Sequence, residues 1–123
     1  MNNLNNLVIL SGWVGAEPEI RYNDNGSVVA SVSFATSESW KDREGNRKKR
    51  ITWIDLSCWG ELAKRVEELV RKGMRLSVYG KLQNDFGEDK EGKKHTKTYV
   101  ALQAFEILTS QQRSSGNNNM STM

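Results

Sequence analysis

Only one stretch of this chain repeats its apolar residues at helical spacing. Between Glu61 and Lys72, residues Leu62, Val66, Leu69 and Val70 form one stripe. Glu61 stands at the N-terminal end, Arg71 and Lys72 at the C-terminal end, where the helix dipole favours each sign. Gly73 is placed for a C-cap. The other apolar segments alternate with period two, so one short helix has to fit among strands. Leu7 to Val14 reads as a first strand, with Gly12 and Gly15 suggesting a bend or a close backbone approach, and Pro18 beyond its end. Asn23 to Gly26 is a turn, because Asn and Gly tolerate positive φ. Ser27 to Thr36 is a second strand, with Val28, Ala30, Val32 and Phe34 on one face. Ile51 to Trp59 is a third. Met74 to Leu82 is a fourth, with Met74, Leu76 and Val78 inward. A charged loop from Asn84 to Lys94 precedes a last strand from Thr96 to Leu108.

Three strands, a helix and two strands is the plan of an OB-fold. The predicted class is all-β: a five-stranded barrel with one helix between strands 3 and 4 and a long basic hairpin between strands 2 and 3. The 123 residues suit one domain. Gln111 to Met123 holds almost nothing to bury, so residues 1–110 are expected to fold and 111–123 to form a disordered polar tail. One cysteine and one histidine exclude an internal disulfide and give no basis for a zinc site. No run reaches the ~20 apolar residues of a membrane span, and the N-terminus lacks a basic leader. A cytoplasmic protein with no metal, cofactor or membrane contact is expected.

The net charge of +3 matters less than where it sits. Lys41 to Arg50 holds six basic and two acidic residues, a local +4 at the tip of the hairpin around Gly45 and Asn46. The third strand follows. Its even positions, Thr52, Ile54, Leu56 and Cys58, read as core-facing, and its odd positions, Trp53, Asp55, Ser57 and Trp59, as outward. Two indoles on an outward face need a covering partner. Trp40 lies just before the basic cluster Lys48, Lys49 and Arg50. Flat rings interleaved with cations suit a single-stranded nucleic acid, whose bases stack on the rings while the cations follow the phosphates. Trp13, among Leu10, Val14 and two glycines, is assigned to the structure instead.

Over residues 4–110 the chain resembles the bacterial single-stranded-DNA-binding protein family. The similarity runs through Asn6 to Gly12, Pro18 to Tyr22 with Asp24 to Gly26, Phe34 to Trp40, Thr52-Trp53, Trp59 to Ala63, Arg71 to Gly73 and Val78 to Leu82. It implies an OB barrel with a long hairpin after the second strand. It further implies a non-catalytic homotetramer, with a dimer as the alternative, that binds and protects single-stranded DNA without sequence preference during replication, recombination or repair. The stacking positions it implies are Trp40, Trp53, Trp59 (where relatives often carry phenylalanine) and one in the loop before the last strand. Alignment on His95-Thr96 gives Phe86 for that fourth position and alignment on Gly92 gives Gly87; Phe86 is preferred because it has a ring. Arg21 and Lys72 match commonly basic positions, and Lys48, Lys49 and Arg50 lie in the DNA-contacting hairpin, with Lys41 and Arg43 beside them. Leu7, Ile9 and Ile54 are the candidates for the oligomer interface.

Three departures qualify the resemblance. Asp55 and Glu61 fall where relatives have basic residues. Ile54 replaces a histidine associated with subunit packing. The last seventeen residues contain no acid, whereas the family ends in an acidic tip that recruits replication and repair partners, so either recruitment through the tail is absent or the chain is a shortened or divergent member. The alternatives are a dimeric replication-restart accessory protein on the same fold, and an OB-fold module whose tryptophans bind a protein or an oligosaccharide. Enzyme chemistry has no support: Asp24, Asp42 and Asp55 form no spaced acid pair with a base, Cys58 faces the core, and His95 has no visible partner.

Overall fold

The computed structural model describes residues 5–109; the expected disordered tail at 111–123 lies outside them. The chain runs β1 (Val8–Val14), β2 (Glu19–Tyr22), β3 (Val28–Lys41), β4 (Arg47–Trp59), α1 (Gly60–Leu69), β5 (Arg75–Glu88) and β6 (Lys94–Thr109). Strand order is β1-β5-β6-β4-β3-β2, and an added β1–β3 pairing closes five strands into a barrel with β2 on the outer edge of β3. This is the OB plan. The short β2 escaped the sequence reading because four edge residues give little periodicity. With it counted, the single helix stands between the fourth and fifth strands.

Alternation builds the core. Val28, Ala30, Val32 and Phe34 of β3 face Leu56 and Cys58 of β4, Leu76 and Val78 of β5 and Val100 and Leu102 of β6. Ala63, Val66 and Val70 add the helix, which packs against β3 and β4. No polar or charged side chain is buried among the described residues. Burial pushes the Cys58 thiol up to about 11, which removes it as a nucleophile near neutral pH.

The helix is shorter than its stripe suggested. It ends at Leu69, with Val70 as C-cap, and Leu69 is exposed. The backbone turns extended at Val70, and Arg71 Nη1 donates to the Glu67 and Val70 carbonyls at 2.8 and 2.7 Å, satisfying groups left open by the helix end. Gly73 instead occupies the following turn at φ 89° and donates its N–H to the Val14 carbonyl. The expected charged loop at 84–94 is another correction. β5 and β6 stay paired out to Glu88 and Lys94, leaving only a tight turn at the tip. A hairpin arm projecting beyond the barrel has water on both faces, so it shows no apolar alternation to read. The β3–β4 arm projects in the same way, paired from Val29–Trp59 to Lys41–Arg47.

Barrel closure depends on Gly12. Strand β1 pairs with β5 over Val8–Trp13 and turns onto β3 at Trp13 and Val14. A Cβ at position 12 would stand 2.0 Å from the Ala35 carbonyl oxygen, and backbone cannot yield as a side chain can. Gly12→Ala is therefore expected to destabilise the domain by about 2 kcal/mol or more. Urea unfolding checks this, and an unchanged midpoint would contradict the closure argument.

Candidate nucleic-acid interface

The pairing of β3 with β4 sorts the candidate residues onto two faces. Directly opposed residues share a face, and successive residues alternate. Outside the barrel, one face carries Trp59 opposite Val29, Ser57 opposite Ser31, Asp55 opposite Ser33 and Trp53 opposite Ala35. It continues along the arm through Ile51, Lys49 opposite Ser39, and Arg47 opposite Lys41. Trp53 is 60% exposed and Trp59 49%. Six residues of strand set their Cα atoms ~20 Å apart. Arg21 extends the Trp59 row through Val29.

Trp40 lies on the reverse face of the arm, paired with Lys48, and the Arg50 guanidinium sits over its ring at 5.5 Å. The structure thus brings Trp53 and Trp59 together on the barrel and sets Trp40 around the ribbon from them. Phe86 is 78% exposed on the second arm, opposite Thr96. That arm is electrically balanced, with four lysines against four acids between Asp85 and Lys97. Lys72 lies in the turn after α1, its N–H donating to Glu17 Oε2.

The basic arm is built by Asp42. Its Oδ1 accepts from the N–H groups of Glu44 and Asn46, folding the turn at the tip. Its Oδ2 lies 3.9 Å from Lys48 Nζ. Among the described residues, Arg21, Lys41, Arg43, Arg47, Lys49, Arg50 and Lys72 form no ion pair with a carboxylate. Unpaired cations on a projecting ribbon leave their charge open to a polyanion.

Two details tune the outward face. The Trp53 ring leans across β3 onto Gly15, where an added Cβ would lie 2.5 Å from it. Gly15 therefore gives the ring its seat. Asp55, which stands where relatives have a basic residue, lies 3.2 Å from Lys97 Nζ. Together they line a cleft of about 300 Å³ with Glu17, Glu19 and Ser33, between the two indole rows. Glu61 similarly approaches Lys64 at 3.4 Å.

Some assignments change. Trp13 is 43% exposed on the outward side of β1, with Arg75 over its ring at 5.3 Å, and is no part of the core. The alternation of Val8, Leu10, Gly12 and Val14 carried that signal, because it turns the odd positions outward. Arg47 and Lys97 also went unremarked as site residues. His95 has a partner, its Nε2 lying 3.0 Å from Asp89 Oδ2, and that contact holds the Asp89 carboxyl below its ordinary range. Thr52 is exposed where the barrel gives way to the arm. Of the interface candidates, Leu7 and Ile9 are exposed, with Ile9 opposite the exposed Tyr79. Ile54 is half-buried and packs against this chain's own core.

These features coincide with what the chain is similar to. A single-stranded DNA-binding protein of Deinococcus radiodurans is 38% identical over 119 residues, covering 97% of this chain and 38% of the relative. One of Rhizobium meliloti is 42% identical over 102 residues, covering 81% and 59%. The chain thus spans less than two thirds of either relative's length. The Plasmodium falciparum SSB in complex with ssDNA superposes with a TM-score of 0.79 at 28% identity, covering 89% of this chain and all of that one. A Thermus aquaticus single-stranded DNA binding protein shares the fold at a TM-score of 0.75 and 24% identity, covering 86% of this chain and 51% of that one. The model of the single-strand binding protein family matches residues 5–108, the whole barrel with both arms, and the chain belongs to that family.

Proposed function

We propose that this protein binds single-stranded DNA without sequence preference and shields it during replication, recombination or repair, acting as a binding protein and not as an enzyme. The observation that carries the reading is the pair of exposed indoles, Trp53 and Trp59, on a face continuous with the unpaired cations of the basic arm. Bases stack on Trp53 and Trp59, and the strand bends around the ribbon to reach Trp40. Phe86 adds a further ring from the second arm. Lys41, Arg43, Lys48, Lys49 and Arg50 follow the phosphates, with Arg21 and Lys72 beyond the barrel end. Stacking is indifferent to base identity because every base has a π-face. A strand whose bases are stacked on protein cannot pair with its complement.

The apolar patch of Leu7, Ile9 and Tyr79 supports self-association, as a homotetramer. Ile54 would contribute through the core it packs against. Light scattering reads the assembly directly, and a monomer at micromolar concentration would contradict it.

Trp53→Ala is expected to cost about 1–3 kcal/mol of affinity for oligo(dT) in a protein that still folds, because the ring is largely exposed. Fluorescence anisotropy of a labelled strand measures it, and wild-type affinity in the folded variant would remove Trp53 from the site. Asp55→Asn frees Lys97 for phosphate, so binding should tighten and the dependence of log K on log salt should steepen by about 0.7, one added single-strand contact. Adding Lys97→Gln should cancel both changes. A gain that survives Lys97→Gln would show that Asp55 acts by simple repulsion.

A further inference from the structure

We propose that Trp13 and Arg75 form an additional strand-contacting site, a stacking ring with its own phosphate-binding cation, on the same platform as Trp53. Trp13 is directly opposite Ala35, and Ala35 is directly opposite Trp53, so all three side chains share the outward face. Two strand spacings set the indoles' Cα atoms ~10 Å apart. Ala35 is only 9% exposed although it points away from the core. It lies between the two indole positions, and Trp53 leans over β3 as far as Gly15, two residues from Trp13. The result is one apolar floor crossing from β4 to β1.

The Trp13 ring is 43% exposed, and the barrel closes through Gly12 and the neighbouring backbone. Over the ring lies Arg75, its guanidinium 5.3 Å from the ring centroid and in no ion pair among the described residues. A ring in contact with an unpaired guanidinium matches a nucleotide, which offers a base to stack on the ring or the guanidinium plane and a phosphate to bind bidentately. Charge and continuity with Trp53 favour a nucleic acid strand over a second copy of this chain. The apolar patch suited to a copy, Leu7, Ile9 and Tyr79, lies towards the other end of β1. The strand's track accordingly runs from Arg21 and Trp59 past Trp53 and on to Trp13 and Arg75.

This inference rests on the binding of single-stranded DNA proposed above, and photocrosslinking separates the two. Oligo(dT) carrying 5-iodouracil at single positions is irradiated with the full-length chain, and the modified peptides are mapped by mass spectrometry. Adducts are expected at Trp13 as well as at Trp53. Adducts at Trp53 with none at Trp13 would overturn the added site alone; an absence of any complex would overturn the function itself. Trp13→Ala should weaken oligo(dT) binding roughly tenfold, with Trp13→Phe recovering most of it. Arg75→Gln should flatten the salt dependence by about 0.7. If Trp13→Ala changes the mass of the assembly and leaves the affinity for the strand untouched, the ring belongs to a protein contact and the proposal falls.

Discussion

The register between β3 and β4 is the constraint on which the rest depends. It runs without a break from Val29–Trp59 to Lys41–Arg47. Within the barrel it turns Leu56 and Cys58 inward with Ala30 and Val32. By the same step it turns Trp53 and Trp59 outward. A slip of one residue would bury the rings and expose the core, so the apolar interior that stabilises the domain also fixes which face presents the indoles. Core and site are two sides of one alternation. Beyond the barrel the interior constraint ends, but the ladder continues and sets Lys41, Arg47 and Lys49 in line with Trp53.

Local rules are broken where binding would profit. The N-cap of α1 is Trp59, which makes no side-chain capping bond, in a position that usually favours Ser, Thr, Asp or Asn. That substitution forgoes about 1 kcal/mol of helix stability. It sets a large ring at the junction between strand and helix, where its backbone is held from both sides. Gly15 has a similar character. Its missing side chain lets the Trp53 ring lie across the sheet instead of standing up from it. Asp55 and Lys97 show a third device, an exposed ion pair that keeps a cation near the outward indoles while screening it. Such pairs are worth little to folding, which leaves them free to exchange partners.

What could be read from the sequence follows from which surfaces are dry. Wherever one face of a strand meets the core, alternation fixed the inward residues: Val28 to Phe34, Leu56, Cys58, Leu76 and Val78 all lie where their period set them. The arms were less legible, since water on both faces erases the period, and the second arm therefore read as a loop. Trp40 and Trp53 were both legible as rings near cations, yet their separation onto opposite faces of the ribbon needed the register. Trp13 reads as structural from the composition of its neighbours, whereas the register sets it on the surface. Its alternation with Gly12 and Val14 turned it outward. The partnership of Asp55 with Lys97 spans 42 residues and arises only when β6 lies beside β4, so nothing local announces it.

The central claim is that the outward face of the β3–β4 ribbon receives the strand. The most direct measurement is a two-dimensional NMR titration of the nitrogen-15-labelled protein with oligo(dT), following the indole N–H signals and the backbone amides together. The account predicts that the indoles of Trp53 and Trp59 shift first, along with amides of β4 and the basic arm, while those of α1 stay in place. Shifts confined to α1 and the β2 edge, with the indoles of β4 unmoved, would contradict it.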